Sequence, residues 1–198
     1  MKSILTFVSF LTLAQLLSAA PYVMIGDLKL VRASAPAESE IQLREYLPEG
    51  EGLERWNRLA SVRVFKTEKN AQKYLERVAA TVRKSGPPAR AEFFRNEQKK
   101  ESVLDFITFA PPTSPKHFAE WNMMRAKFVE GTGLVVYQYA LRLYVIDDDS
   151  IKVITSERRK MMARFVEASF EEKSEPNQAP LPTPMSVTPP AGQEARQP

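Results

Sequence analysis

The strongest constraint on the fold is a hairpin in the second half of the chain. Residues Phe118 to Glu130 and Leu134 to Val145 flank a short glycine-containing turn, Glu130-Gly131-Thr132-Gly133, and the second arm is dense in β-forming residues. Two strands joined by so short a turn pair antiparallel. A hairpin alone is only marginally stable in water, so the chain must supply further strands or helices to cover it.

The remaining pattern supplies both kinds of element. Residues Arg58 to Lys66 alternate, with Leu59, Ser61, Arg63 and Phe65 on one face and smaller apolar residues on the other. Apolar positions at helical spacing predict one helix from about Thr67 to Ser85 and another from about Ser156 to Glu172. Because strands and helices do not strictly alternate, we predict an α+β fold: a single domain with a largely antiparallel sheet and helices packed mainly on one face.

Three regions differ in composition. Residues 1–20 have the order of a secretory signal peptide: Lys2, an apolar run, and small residues before a cut after Ala19 or Ala20. An uncleaved N-terminal anchor is the alternative, although the apolar run is shorter than the roughly 20 residues of a membrane span. Residues 21–173 form the predicted domain. Residues 174–198 contain seven prolines and few large apolar side chains, which predicts a disordered tail.

These regions predict where the protein works. The leader indicates a secreted or periplasmic protein, and no later segment is long and apolar enough to serve as a transmembrane span in the mature chain. The chain has no cysteine, so disulfides cannot stabilise it and core burial must do so. We therefore expect a domain that folds by packing alone outside the cytoplasm.

Composition also excludes several chemistries. His117 is the sole histidine, and zinc or iron sites need several His or Cys ligands. No glycine-rich loop joins a strand to a helix in the manner of a phosphate-binding site. The net charge is +4, and basic residues are interleaved with acids rather than clustered as in a nucleic-acid-binding surface. We expect no cofactor, no metal and no nucleic-acid partner.

The most distinctive segment runs from Glu45 to Trp56. Pro48 ends a strand, glycines follow at positions 50 and 52, and Trp56 precedes the next strand. Glycine allows the backbone to turn sharply, and a tryptophan can cover the resulting corner with a large apolar area. One hypothesis is a structural corner. The other is a recognition surface built on Glu51 and Trp56.

The same segment carries a resemblance. The run Glu45-Tyr46-Leu47-Pro48, followed by Gly50-Glu51 and then Trp56, resembles a motif of small exported bacterial proteins of uncharacterised function. The resemblance implies an exported α+β domain and no known activity. The order of helices and hairpins downstream is also similar to that of PsbP-like proteins, which accompany larger assemblies. That similarity concerns the fold alone.

Two tyrosines form a second candidate surface. Tyr137 and Tyr139 share one face of the hairpin. If this face meets the helices, the two rings belong to the core. If it is the open side of the sheet, they form a partner-binding surface.

Charged clusters leave alternatives open as well. The run Asp147-Asp148-Asp149-Ser150 could offer oxygen ligands to calcium, but it lacks the glycine and the late glutamate of a calcium-binding loop. The pattern favours a solvated turn that places acids near the start of a helix. The run Arg158-Arg159-Lys160 has partner charges or is solvated, and contact with an anionic membrane is the alternative. His117 follows a proline-rich loop, which favours an exposed residue without a catalytic role.

Two functions remain. The first is an exported, non-catalytic domain that binds a protein or another envelope component, since no catalytic constellation is evident. The alternative is a carboxylate-dependent hydrolase of an envelope polymer, which would need two acids across a cleft. The candidate acids are those of the corner: Glu45, Glu49, Glu51 and Glu54.

Overall fold

A computed structural model describes residues 20–34, 41–86, 89–99, 101–110, 113, 117–144 and 146–174. The predicted signal peptide, apart from Ala20, and the predicted tail, apart from Ser174, lie outside these residues. Residues 20–174 form one compact unit. Its ten elements are β1 (Tyr22–Ile25), β2 (Leu28–Ser34), β3 (Ile41–Leu47), β4 (Arg58–Phe65), α1 (Ala71–Lys84), β5 (Arg90–Asn96), β6 (Glu101–Phe109), β7 (Ala119–Val129), β8 (Gly133–Leu143) and α2 (Asp148–Glu167).

The eight strands form one antiparallel sheet in the order β1-β2-β3-β4-β8-β7-β6-β5. Strands β1 to β4 form a meander that ends in the middle of the sheet. Helix α1 then carries the chain to the far edge, and β5 to β8 return as a second meander until β8 pairs with β4. The α+β class and the antiparallel sheet are thus confirmed.

The hairpin that dominates the sequence lies at the centre of the sheet. Strands β7 and β8 pair from Ala119↔Leu143 to Val129↔Gly133. Gly133 has a φ of 109°, and a side chain there would meet the carbonyl oxygen of Phe65 at 2.3 Å. Only glycine therefore allows β8 to start against β4 at this point.

Each helix packs on one face of the sheet. Leu75, Ala79 and Val82 of α1 pack with Leu134 and Val136 of β8, which defines the α1 face. The α2 face carries a larger core, and its members include buried residues of α2 and of the odd-numbered positions of β8: Ile154, Met161, Phe165, Val135, Tyr139 and Leu141. Because neighbouring residues of a strand point to opposite faces, the two helices lie on opposite sides of the sheet rather than together.

Helix α2 starts earlier than its apolar pattern predicts. Asp147 is its N-cap and accepts a hydrogen bond from the Ser150 backbone N–H at 2.8 Å, while the Ser150 hydroxyl accepts from the Asp147 N–H. This capping box explains the acidic turn: its side chains start the helix at Asp148, eight residues before Ser156. The predicted start was wrong because Ile151 and Val153 are exposed and mask the periodicity.

Two turns shape the first half of the domain. Strands β1 and β2 form a hairpin that turns at Gly26, which has a φ of 63°. A second, tight turn lies before β4 and is closed by a Gly52↔Arg55 bridge. Among the described residues, no helix is long and apolar enough to cross a membrane.

Candidate functional site

The Glu45–Trp56 segment forms a tight corner on the α1 face. Gly50 turns the chain with a φ of 86°, and the Glu51 N–H donates to the Pro48 carbonyl at 3.1 Å. The Glu51 carboxylate accepts a 2.7 Å hydrogen bond from the Asn57 N–H, where β4 is about to begin. Glu51 is thus held to the backbone of its own corner.

Trp56 closes the corner and is only 6 % exposed. It packs with Leu47, Leu59 and Ala140 in a small apolar cluster, here called the corner cluster. The Tyr144 hydroxyl lies 3.2 Å from the Trp56 backbone nitrogen and 3.1 Å from its carbonyl oxygen. The ring is therefore an integral part of the packing where β3, β4 and β8 meet.

Polar side chains lie between and beside the corner cluster and the cluster under α1. Along β8, Val136 belongs to the α1 cluster, Ala140 to the corner cluster, and Gln138 lies between them. Neighbouring strands add more polar residues on the same face. This polar band consists of Glu45, Ser61, Arg63, Glu120, Asn122, Gln138 and Arg142.

Hydrogen bonds connect most of the polar band across the sheet. Arg63 donates to the Gln138 side-chain oxygen, and Gln138 donates to the Asn122 oxygen at 2.6 Å. Asn122 donates to one oxygen of Glu120 at 3.0 Å. The other oxygen of Glu120 accepts two bonds from Arg142, at 2.8 and 2.6 Å. Networks of this kind, in a poorly hydrated setting, hold each planar group in a fixed orientation.

One member of the band is not satisfied. The Ser61 side chain is fully buried, and its hydroxyl has no hydrogen-bond partner within the described part of the chain. It lies between Glu45 and Gln138, its partners on the two adjacent strands. A buried hydroxyl without a partner costs about 1–3 kcal/mol of folding free energy.

Five members of the band line a groove of about 330 Å³, here called the polar groove: Glu45, Arg63, Glu120, Gln138 and Arg142. The two acids and two guanidinium groups among them balance in charge. Leu53, Trp56 and Leu59 complete the walls of the groove. Both hydrogen-bond donors and acceptors face the space, and most of the exposed lining is polar. The geometry suits a neutral ligand that both donates and accepts hydrogen bonds.

Tyr137 and Tyr139 do not join this groove. They lie on the α2 face, where Tyr139 is fully buried. Tyr137 packs against Phe170 with a centroid distance of 5.0 Å, and the Arg125 guanidinium lies 4.6 Å from the Tyr137 ring centroid. The structure therefore brings together Glu51 and Trp56 at one corner and separates them from both tyrosines.

Tyr139 is bonded to a glutamate of α2. Its hydroxyl donates to Glu157 at 2.8 Å, and Arg58 donates to the same carboxylate oxygen at 3.1 Å. Burial raises the pKa of Tyr139 far above its ordinary value, and the adjacent carboxylate raises it further. Burial would also raise the pKa of Glu157, but the hydrogen bonds from Arg58 and Tyr139 outweigh it and the pKa is lowered. This cluster anchors α2 on the sheet.

The candidate catalytic groups are dispersed. Among the corner acids, Glu45 lines the polar groove, whereas Glu51 is bonded to the backbone. His117 is exposed. Within the described residues, no group of three or more His, Cys, Asp or Glu side chains is placed to hold a metal ion.

Sequence reasoning missed most of the polar band. The alternation of β4 had placed Ser61 and Arg63 on one face, which was the available signal. Glu45 comes from β3, and the remaining members come from β7 and β8, which reach β4 only through the long-range pairing of β8 with β4. Nothing local in the sequence indicates that Gln138 lies beside Ser61.

The fold and the groove define an α+β domain with a charge-balanced polar groove beside a tryptophan-closed corner. The chain belongs to an uncharacterised protein family, whose model matches residues 27–170. This match does not confirm the resemblance carried by the corner motif or the similarity to PsbP-like proteins. No curated protein and no solved structure matches the chain.

Proposed function

We propose that the protein is an exported, non-catalytic binding domain whose polar groove takes a neutral, hydroxyl-rich ligand, namely a saccharide segment of an envelope component. The observation that carries the proposal is the polar band itself. Seven polar residues from four strands lie together on the α1 face, between and beside the two apolar clusters. Burying such groups is costly, and a ligand-binding role accounts for their retention.

The chemistry of the groove favours a saccharide over an ion. Arg63 and Arg142 offset Glu45 and Glu120, so the lining has no net charge. Planar carboxylate, amide and guanidinium groups offer the paired donors and acceptors that vicinal hydroxyls require. The buried Ser61 hydroxyl, between Glu45 and Gln138 on the adjacent strands, supports the same interpretation, because an unsatisfied buried group is tolerated most readily at a functional site.

Binding is favoured over hydrolysis by the positions of the acids. Glycoside hydrolysis needs two carboxyl groups about 5–9.5 Å apart. Glu45 lies on β3 and Glu120 on β7, and the backbones of these two strands are three strand spacings, or about 14 Å, apart across the sheet. Glu120 is also held by both Arg142 and Asn122. The alternative of a carboxylate-dependent hydrolase therefore gains no support from this groove.

Titration calorimetry with two probes tests the proposal: chitotetraose as the neutral saccharide and tetragalacturonate as an anionic one. We expect the neutral probe to bind more tightly. Arg63→Met should weaken binding by about tenfold or more, since hydrogen bonds to charged groups are worth about 1.5–3 kcal/mol. Arg44→Met is the matched control, because Arg44 lies on the opposite face of β3 beside Glu172.

Chromatography of the probes after incubation separates binding from catalysis. Two results together support the proposal: the saccharide probes keep their length, and of the two variants only Arg63→Met loses affinity for the neutral saccharide. Equal affinity in both variants, or no binding of either saccharide, would contradict it. Shortened products would establish the hydrolase instead.

A further inference from the structure

A second cleft lies on the opposite side of the sheet, between α2 and the β5–β6 edge. Its volume is about 360 Å³, within the range of small-molecule sites. Much of its wall is apolar and comes from β6 and α2: Ile107, Phe109, Ile151 and Ile154. We call it the apolar cleft.

Charged groups at the inner end of the apolar cleft satisfy one another. Asp105 accepts a 2.6 Å hydrogen bond from the Trp121 indole N–H. It also forms an ion pair with Arg158. Arg158 also donates to Glu92, the cross-strand neighbour of Asp105, at 3.0 Å. Because these charges are paired, the cleft presents its aliphatic wall to a ligand.

A basic groove runs along the outer side of α2 and continues the apolar cleft. Ile151 and Thr155 line both spaces, so the two are contiguous. The other residues of the basic groove are Lys152, Ser156, Arg159 and Lys160, and no acidic side chain lines it. Within the described residues, Lys152 pairs with Asp149 at 2.7 Å, and Lys160 lies close enough to Glu157 to help lower the pKa of that carboxyl. Arg159 forms no ion pair there, so its charge is available to an anion.

The aliphatic side chains next to this groove are unusually exposed. Ile151 and Val153 are each 48 % exposed, and Ile146 is 46 % exposed. A helix that combines exposed aliphatic residues with several basic residues on its solvent side is typical of contact with an anionic bilayer. Aliphatic contact and cationic attraction add together at such a surface.

We propose that the apolar cleft and the basic groove form one site for an anionic phospholipid of a bilayer. The acyl chain enters the cleft against Ile107 and Ile151, and the phosphate contacts Arg159 and Lys160. This site is independent of the polar groove, which lies on the other face.

Co-sedimentation with vesicles tests this site. The probes are vesicles of phosphatidylcholine alone and vesicles that also contain phosphatidylglycerol. We expect binding to the anionic vesicles that weakens with added salt. Reversing two charges in Arg159→Glu/Lys160→Glu should lower partitioning at least about thirtyfold, since each basic residue near the surface contributes about 1 kcal/mol. Lys73→Glu/Lys84→Glu on α1 carries the same charge change and should have a much smaller effect.

A second pair of variants tests the cleft. Ile151→Asp and Val153→Asp change residues of equal exposure on the same helix, but only Ile151 lines the two spaces. We expect Ile151→Asp to lose more binding than Val153→Asp, with unchanged circular dichroism for both. Equal losses would overturn the one-site proposal, as would equal binding to both vesicle types. Binding of inorganic phosphate by a protein that does not bind either vesicle would show an anion site only, and this result would also overturn the proposal.

Discussion

The Arg142 guanidinium lies 4.0 Å from the centroid of the Trp56 ring, and the Phe118 ring lies 4.4 Å away from the same group. Arg142 also donates both of its bonds to Glu120. Trp56 therefore orients an arginine of the polar groove as well as closing the corner. Its contribution to stability and its contribution to the site are linked through this one contact.

Trp56→Ala should lower the free energy of unfolding by about 3–5 kcal/mol, as expected for the truncation of a large buried aromatic side chain. Leu53→Ala is the control, because Leu53 belongs to the same corner but is 42 % exposed. That change should stay within about 0.5 kcal/mol. Denaturant melts of the two variants measure the difference, and an unchanged midpoint for Trp56→Ala would show that the ring does not support the corner.

Ser61→Ala should stabilise the protein by about 1 kcal/mol, because it removes a buried hydroxyl that has no partner. The same change should weaken saccharide binding if the hydroxyl serves the groove. Ser156→Ala, at an exposed position of α2, should leave the melting curve unchanged. A destabilised Ser61→Ala would mean that the hydroxyl is satisfied in solution, and this support for the groove would be lost.

Glu157 should make stability depend on pH in the acid range. Its pKa is lowered in the folded protein, because hydrogen bonds from Arg58 and Tyr139 outweigh the effect of burial. The resulting stabilisation is present above the ordinary glutamate pKa and is lost as pH falls through the lowered folded value. The difference in unfolding free energy between wild type and Glu157→Gln should shrink from about pH 7 to about pH 3. A constant difference would contradict this assignment.

Export is tested by the mass of the mature chain. The order of Lys2, the apolar run and the small residues that follow predicts removal of the leader after Ala19 or Ala20. Intact-mass spectrometry of protein recovered from the envelope fraction should show one of these two starts. Retention of Met1 to Leu17 would point to the uncleaved anchor instead.

Local patterns predicted the elements better than their arrangement. The alternation of β4 and the glycine turn before β8 identified the central strands, because both features are set by neighbouring residues. Local patterns did not indicate which face of the sheet each helix covers. Helix α1 crosses between two strands that are far apart in the sheet, so its face depends on the whole topology.

The candidate site shows the same limit. The corner was recognisable because Pro48, Gly50 and Trp56 are local signals of a turn and its cover. The polar groove was not, because Glu45, Gln138 and Glu120 come from strands that are distant in sequence and meet through β4–β8 pairing. Burial of Trp56 also depends on Tyr144, which lies 88 residues further along the chain.

The most direct test of the polar groove is an amide NMR titration of the isotope-labelled domain with chitotetraose. The account predicts chemical-shift changes in the backbone amides of Glu45, Ser61 and Gln138, which lie side by side on β3, β4 and β8. Amides on the α2 face, such as those of Ile107 and Ile154, should not shift. Changes confined to the α2 face, or no changes at saturating saccharide, would contradict the assignment of this groove as the binding site.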